Sequence, residues 1–190
     1  MKTVILGGTY NPIHIGHLYI AEEVKHQFGY DQVIFVPSNI PAHKDHDPCT
    51  DPEHRLEMLK AATEKSDILV EDCEIRRGGI SYTYKTIEYL CNRYSIEGKP
   101  GMVVGDDLVD GLPSWKRWDL LQSKIELFIA HRLYRERVDC VYSHSYIDNL
   151  VLPISSSDIR SRVMNGGTFR YLVPEGVYDI IEREGLYRGC

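Results

Sequence analysis

An α/β fold with a doubly wound, mainly parallel sheet of five or six strands flanked by helices is predicted, on three observations. Short apolar runs recur along the chain with helix-length amphipathic stretches between them, the pattern of parallel strands joined by right-handed crossovers. The first apolar run passes into the first helical stretch through a glycine-rich turn, Gly7-Gly8-Thr9-Tyr10-Asn11-Pro12-Ile13-His14-Ile15-Gly16-His17. At 190 residues, 43% hydrophobic and 26% charged, the chain suits one soluble globular domain with a sizeable core. The expected organisation is a single domain over 1–190, with a C-terminal helical part from about residue 154 packed on it.

The elements follow in order. Thr3-Val4-Ile5-Leu6 reads as a short buried strand, and Leu18 to Phe28 as an amphipathic helix. Gln32-Val33-Ile34-Phe35-Val36-Pro37 reads as the second strand, followed by a loop from Ser38 to Thr50 rich in Pro, Asn, Asp and His. Glu53 to Thr63 has helical spacing, with Leu56, Leu59 and Thr63 on one face, and Asp51-Pro52 supplies an N-cap and a first-turn proline. Ile68-Leu69-Val70 is the next strand and Thr83 to Tyr94 a helix. Met102-Val103-Val104 forms a strand ended by Gly105, Trp115 to Leu121 a short helix, and Glu126 to Ala130 a fifth strand. Tyr146 to Leu152 reads as a further short strand, and Ser156 to Met164 and Glu175 to Glu184 as closing helices. The stretch Arg132 to Ser145 has no regular pattern.

Charge and cysteine usage exclude several classes. A formal net charge of −6 argues against a nucleic-acid backbone binder while leaving room for a local basic pocket. The five cysteines, Cys49, Cys73, Cys91, Cys140 and Cys190, form no C-x-x-C pair and are odd in number, so reduced cytosolic thiols are expected rather than disulfides or a zinc knuckle. No n-region or h-region of a secretory signal precedes the first strand, and no apolar run approaches the roughly 18 residues that span a membrane.

The chemistry-bearing residues concentrate where strands hand over to helices, the usual ligand crevice of open α/β sheets. The opening turn has neither G-x-x-x-x-G-K-[ST] nor G-x-G-x-x-G. It has His14-x-x-His17, whose rings can face one way on a first helical turn and donate N–H bonds to phosphate oxygens, and Gly7 and Gly8, which let a ligand approach the backbone. Taken alone, such a histidine pair is more commonly structural. Lys44, on the loop after the second strand, suits a phosphate as a point charge. Ser81 and Thr83 are N-cap types at the start of a helix, a place favourable to an anion. A carboxylate after the fourth strand, at Asp106-Asp107, can hold ribose hydroxyls. Ser155-Ser156-Ser157 with Arg160 offers hydroxyls, amides and a guanidinium at another helix start, a polyphosphate clamp. Trp118, one turn beyond Trp115, is assigned to the core.

In sequence order these motifs resemble those of the bacterial nicotinate-nucleotide adenylyltransferases of the H-x-G-H nucleotidyltransferase superfamily. Residues 7–18 resemble G-G-[TS]-F-[DN]-P-x-H-x-G-H, with Tyr10 for Phe, and Pro37 to Lys44 resembles P-x-x-x-P-P-H-K, with Ala42 for Pro. Glu74 to Thr86 resembles E-x-x-R-x-G-x-S-Y-T-x-D-T, with Lys85 for Asp; Gly105 to Trp115 resembles G-x-D-x-[LM] … L-x-x-W; Ile154 to Arg160 resembles I-S-S-T-x-I-R, with Ser157 for Thr. The resemblance covers nearly the whole chain through five motifs.

The resemblance implies a Rossmann-like fold and adenylyl transfer from ATP to nicotinate mononucleotide, giving nicotinate adenine dinucleotide and pyrophosphate in NAD biosynthesis in the cytoplasm. It implies that His14, His17, Lys44 and Arg160 are catalytic. Gly7, Gly8, Thr9, Tyr10, Gly105, Asp107 and Ser156 would join His14, His17 and Arg160 in binding ATP, with Asp107 on the ribose and Ser156 and Arg160 on the departing pyrophosphate. Asn11, His43, Lys44, Ser81, Tyr82, Thr83 and Trp115 would bind the mononucleotide, with Trp115 stacking on the pyridine ring. Mg2+ would arrive on the ATP phosphates rather than in a protein cage. Another H-x-G-H adenylyltransferase, acting on phosphopantetheine or nicotinamide mononucleotide, and a nucleotide-sensing module are the competing readings. No nucleic acid or membrane partner is expected, and homo-oligomerisation is left open.

Overall fold

A computed structural model describes residues 1–42, 51–134 and 136–189. Six strands form one parallel sheet: β1 (Thr3–Gly8), β2 (Gln32–Pro37), β4 (Leu69–Val70), β6 (Gly101–Gly105), β7 (Glu126–Ala130) and β8 (His144–Ile147), in the order β4-β2-β1-β6-β7-β8. Two-residue strands β3 (Ile40–Pro41) and β5 (Ile80–Ser81) pair separately, also in parallel. The sheet matches the doubly wound expectation.

The strands are apolar on both faces because both are covered, as all-parallel sheets require. Alternation along each strand then sorts residues into two cores. Val4, Leu6, Val33 and Phe35 join one cluster with Ala21 and Val24 of α1 (Ile15–Phe28), Met58 and Leu59 of α2 (Pro52–Thr63), Ile159 and Val163 of α6 (Ser156–Met164), and Val177, Ile180 and Ile181 of α7 (Glu175–Glu184). Ile5, Ile34 and Val36 join the other with Ile87 and Leu90 of α4 (Thr83–Arg93) and Trp118 and Leu121 of α5 (Trp118–Lys124). Trp118 is buried, as expected from the sequence.

Local signals account for several boundaries. Asp51 caps α2 by accepting from the Glu53 N–H at 3.0 Å, with Pro52 at the first position. Ser155 caps α6 by accepting from the Asp158 N–H at 3.0 Å. Strands β3 and β5 were not expected from the sequence, and three further elements depart from expectation. The last strand covers 144–147 rather than 146–152, because Asn149 turns the chain by bonding His131 and Leu150 backbone groups. The helix expected at 115–121 begins at Trp118, since a 3-10 helix containing Pro113 fills Asp106–Ser114 and Arg117 sits in the left-handed region. A five-residue helix, α3 (Cys73–Arg77), was not expected at all.

Chain order places the site. From β1 the chain runs outward to β2 and β4, then returns to β6 on the other side of β1. The carboxyl ends of β1 and β6, at Gly8 and Gly105, therefore flank the crevice where the winding reverses. Among the described residues no helix is long and apolar enough to cross a membrane.

Candidate active site

The opening turn leaves β1 through Tyr10, which has a φ of 50°. Its ring is buried against Phe35 and meets His17 edge-on at 5.1 Å, and its hydroxyl donates to the Leu6 carbonyl at 2.7 Å. Burial, with the Glu74 charge second, pushes the phenol above its ordinary range, so Tyr10 acts as a neutral strut under the turn.

His14 is the N-cap of α1 in an extended conformation, which swings its side chain across the helix start. Gly16 makes room for it: a Cβ there would sit 3.1 Å from the His14 ring. The two imidazoles stack, with centroids 3.7 Å apart. His17 Nδ1 accepts from the His14 backbone N–H at 3.2 Å, which leaves the ring hydrogen of neutral His17 on Nε2. His14 is 5% exposed; its side chain faces the His17 backbone N–H in a capping-box arrangement, but neither buried ring nitrogen completes a hydrogen bond among the described residues. Burial, and then the positive charge of Arg132, lowers its pKa to about 4, so the ring is neutral at physiological pH.

The turn is held from behind by its carbonyls. Arg55 Nη1 donates to Thr9 at 2.7 Å, Arg160 Nη1 to Asn11 at 2.8 Å, and Ser156 Oγ to Pro12 at 2.8 Å. The Tyr187 hydroxyl adds a buried bond of 2.8 Å to Asn11 Oδ1. Ser156 and Arg160, expected to hold phosphate, thus have a bracing role in this structure.

The second half of the site comes from the loop after β2 and from the start of α4. Asn39 is tied to the segment before α4 by bonds to Ser81 Oγ at 2.9 Å and to the Gly79 carbonyl at 3.0 Å, beside the β3–β5 pairing. Ser81 and Thr83 do not cap α4. The N-cap is Tyr82, with no side-chain cap bond, so the first amides of α4 are left without a side-chain acceptor. Tyr82 carries the ammonium of Lys116 over its ring at 4.6 Å and that of Lys85 at 5.8 Å. Trp115 packs edge-on against Trp118 at 6.0 Å.

After β6 the two aspartates divide their work. Asp106 is buried and accepts backbone N–H bonds from Arg132, Leu133 and Tyr134 at 3.0–3.1 Å, so the stretch that looked irregular in sequence is anchored to it. Asp107 is paired with Arg132 at 2.8 Å.

A cleft of about 390 Å³ brings these parts together. Of the expected site residues it is lined by Gly7, Gly8, Thr9, Tyr10, Asn11, His14, His17, Ser81, Thr83, Gly105, Trp115, Ser156 and Arg160. Tyr82 and Asp107 lie beside that lining rather than in it, and His43 and Lys44 lie outside the described residues. The lining also includes polar residues not expected at the site, among them Ser38, Arg55, Glu74, His131 and Arg132. The buried Ser38 hydroxyl has no hydrogen-bond partner among the described residues, like the His14 nitrogens. Arg55 is 3% exposed on a helix whose periodicity marked only its apolar positions. Glu74 accepts from the Thr86 hydroxyl, with Arg77 nearby. Unpaired buried hydroxyl and imidazole groups facing one cleft suit a ligand rich in hydrogen-bonding oxygens.

The low His14 pKa fixes a pH dependence. The unfolded histidine binds a proton near pH 6.5 and the folded one only near pH 4, so acidification through that window favours unfolding. The shift corresponds to about 3 kcal/mol. Urea unfolding from pH 7 to pH 4 is expected to show a stability loss of that order that the His14→Asn variant lacks; parallel curves for the two proteins would contradict the assignment.

Comparisons with known proteins agree with this geometry. The sequence model of the cytidylyltransferase-like family matches residues 5–162. A protein of Borreliella burgdorferi is 44% identical over 98% of this chain and 97% of its own length, and one of Streptococcus pyogenes serotype M1 is 39% identical over 97% and 87%. Both carry the name "Probable nicotinate-nucleotide adenylyltransferase". The solved structure of Plasmodium falciparum nicotinic acid mononucleotide adenylyltransferase complexed with NaAD shares the fold, with a TM-score of 0.80 and 18% identity over 98% of each chain. The chain belongs to the cytidylyltransferase-like family, and within it to the nicotinate-nucleotide adenylyltransferases.

Proposed function

We propose that this protein transfers the adenylyl group of ATP to nicotinate mononucleotide, forming nicotinate adenine dinucleotide and releasing pyrophosphate. The observation that carries the reading is the stacked His14–His17 pair at the sheet's switch point, in one cleft with Thr83 and Trp115. The names of the relatives at 39–44% identity support the substrate.

The mononucleotide phosphate is an anion at neutral pH and needs no general base. One of its oxygens attacks the α-phosphorus of ATP in line. The bond from that phosphorus to the bridging oxygen breaks, and the pair of electrons leaves on pyrophosphate. The protein's task is to align two anions and to offset charge as the transition state forms. His17 Nε2–H would donate to the α-phosphate oxygens, and His14, neutral and with ring nitrogens that complete no hydrogen bond among the described residues, would bond the phosphates without the cost of a buried charge. Arg160 would add positive charge from α6, where it also braces Asn11. Lys44 and His43 would act from the loop. Mg2+ would enter with ATP as part of the substrate, since the donors facing the cleft suit phosphate oxygens.

Nicotinate is assigned to the α4 end. Its carboxylate suits the uncapped amides at Thr83 and Tyr84, and its ring suits Trp115. Asp107 would hold a ribose hydroxyl beside the cleft. The assay is pyrophosphate release from ATP with nicotinate mononucleotide, nicotinamide mononucleotide or phosphopantetheine as acceptor. Release is expected to be fastest with nicotinate mononucleotide, and equal or greater rates with another acceptor would defeat the substrate assignment. In the same assay folded His17→Ala is expected to turn over about 10²- to 10³-fold more slowly, the usual loss for one transition-state donor; unchanged turnover would remove His17 from the mechanism.

A further inference from the structure

We infer that Arg55 is a positioning residue that fixes the spacing between the two halves of the cleft. Its guanidinium lies 3% exposed between them, donating through Nη1 to the Thr9 carbonyl at 2.7 Å and through Nη2 to the Asn39 carbonyl at 3.0 Å. Thr9 belongs to the histidine turn. Asn39 belongs to the loop after β2, and bonds to Ser81 and Gly79 carry the link on to the start of α4. One planar fork therefore joins the segment assigned to ATP phosphates to the segment assigned to the mononucleotide. The nearby backbone bond from the Ser38 N–H to the Gly8 carbonyl at 2.8 Å extends the β1–β2 pairing and does not reach α4.

The chemistry of the contact explains the residue type. Burying a guanidinium is costly unless its hydrogen bonds are made, and the partners of Arg55 among the described residues are neutral carbonyls, not a carboxylate. A residue needed for packing alone would not carry that cost. Lysine at the same place keeps the charge but loses the rigid two-pronged geometry that reaches two carbonyls at once. A phosphate–phosphate reaction depends steeply on that geometry, because a misplacement of about 1 Å can lower a rate about 10²-fold while each substrate still binds its own half.

This inference rests on the adenylyl-transfer reading, and the wild-type protein keeps the two apart. Folded Arg55→Lys is compared with wild type for kcat with ATP and nicotinate mononucleotide, and for the Kd of each substrate alone by calorimetry. The expected result is a kcat lower by about 10- to 100-fold with each single-substrate Kd within about threefold of wild type. A merely structural residue would lower the melting temperature and leave kcat per folded molecule unchanged, and that outcome would overturn the proposal. So would a loss confined to one substrate's Kd. If Arg55→Lys does not fold, Asn39→Ala, which removes the side-chain bond to Gly79 on the far side of the bridge, is expected to lower kcat in the same sense, and an unchanged kcat there would also overturn it. Wild-type protein that releases no pyrophosphate would defeat the adenylyl-transfer reading and this inference with it, whereas active wild type with normal variants defeats this inference alone.

Discussion

The backbone of residues 9–12 is the constraint on which the rest of the site depends. A tight turn between a buried strand and a helix has carbonyls that must find donors, and Tyr10, Asn11 and Pro12 of this one are buried. The chain supplies these donors from distant places, Arg55 in α2 to Thr9 and Arg160 and Ser156 in α6 to Asn11 and Pro12, while Tyr187 near the C-terminus holds the Asn11 side chain. Carbonyls engaged on one side commit the turn to a single conformation, and the histidine side chains that follow are set by it. The packing of α6 and α7 into the same core as β1 is therefore part of the site as well as of the fold.

Burial and polarity are balanced unusually at His14. The ring is enclosed by its neighbours, stacked on His17, and given space by the missing side chain of Gly16. Among the described residues neither of its nitrogens completes a hydrogen bond. An arrangement of this kind lowers stability in the empty protein and is offset when an oxygen-rich ligand arrives. The buried Ser38 hydroxyl is in the same position across the cleft. By contrast Asp106, equally buried, is fully used by three backbone amides and belongs to the scaffold that brings Arg132 alongside Asp107.

Much of this was legible in the sequence where local chemistry decides local structure. The bounds of β2 and β7 follow from apolar runs, the starts of α2 and α6 from the caps at Asp51 and Ser155, and the histidine turn falls where a strand meets a helix. What was not legible depends on partners far along the chain. Strands β3 and β5 have two residues each, too few for alternation to appear, and exist because they pair with one another. The Asp106–Ser114 segment, assigned no element from the sequence, is a 3-10 helix. Arg55 lies one turn before Met58 and Leu59 on the buried face of α2, but a guanidinium there reads as a surface charge until the Thr9 and Asn39 carbonyls are brought beside it. Ser81 looked like a cap, but its hydroxyl serves Asn39.

The central claim is that one cleft aligns two phosphates against the His14–His17 pair and places the pyridine ring at Trp115. A crystal structure of this protein with nicotinate adenine dinucleotide bound tests it most directly. The account predicts the dinucleotide's phosphates within hydrogen-bond distance of His14 or His17 and the nicotinate carboxylate at the amides that open α4. A dinucleotide bound with its phosphates away from both histidines, or with its pyridine ring outside the Trp115–Thr83 end, would contradict it.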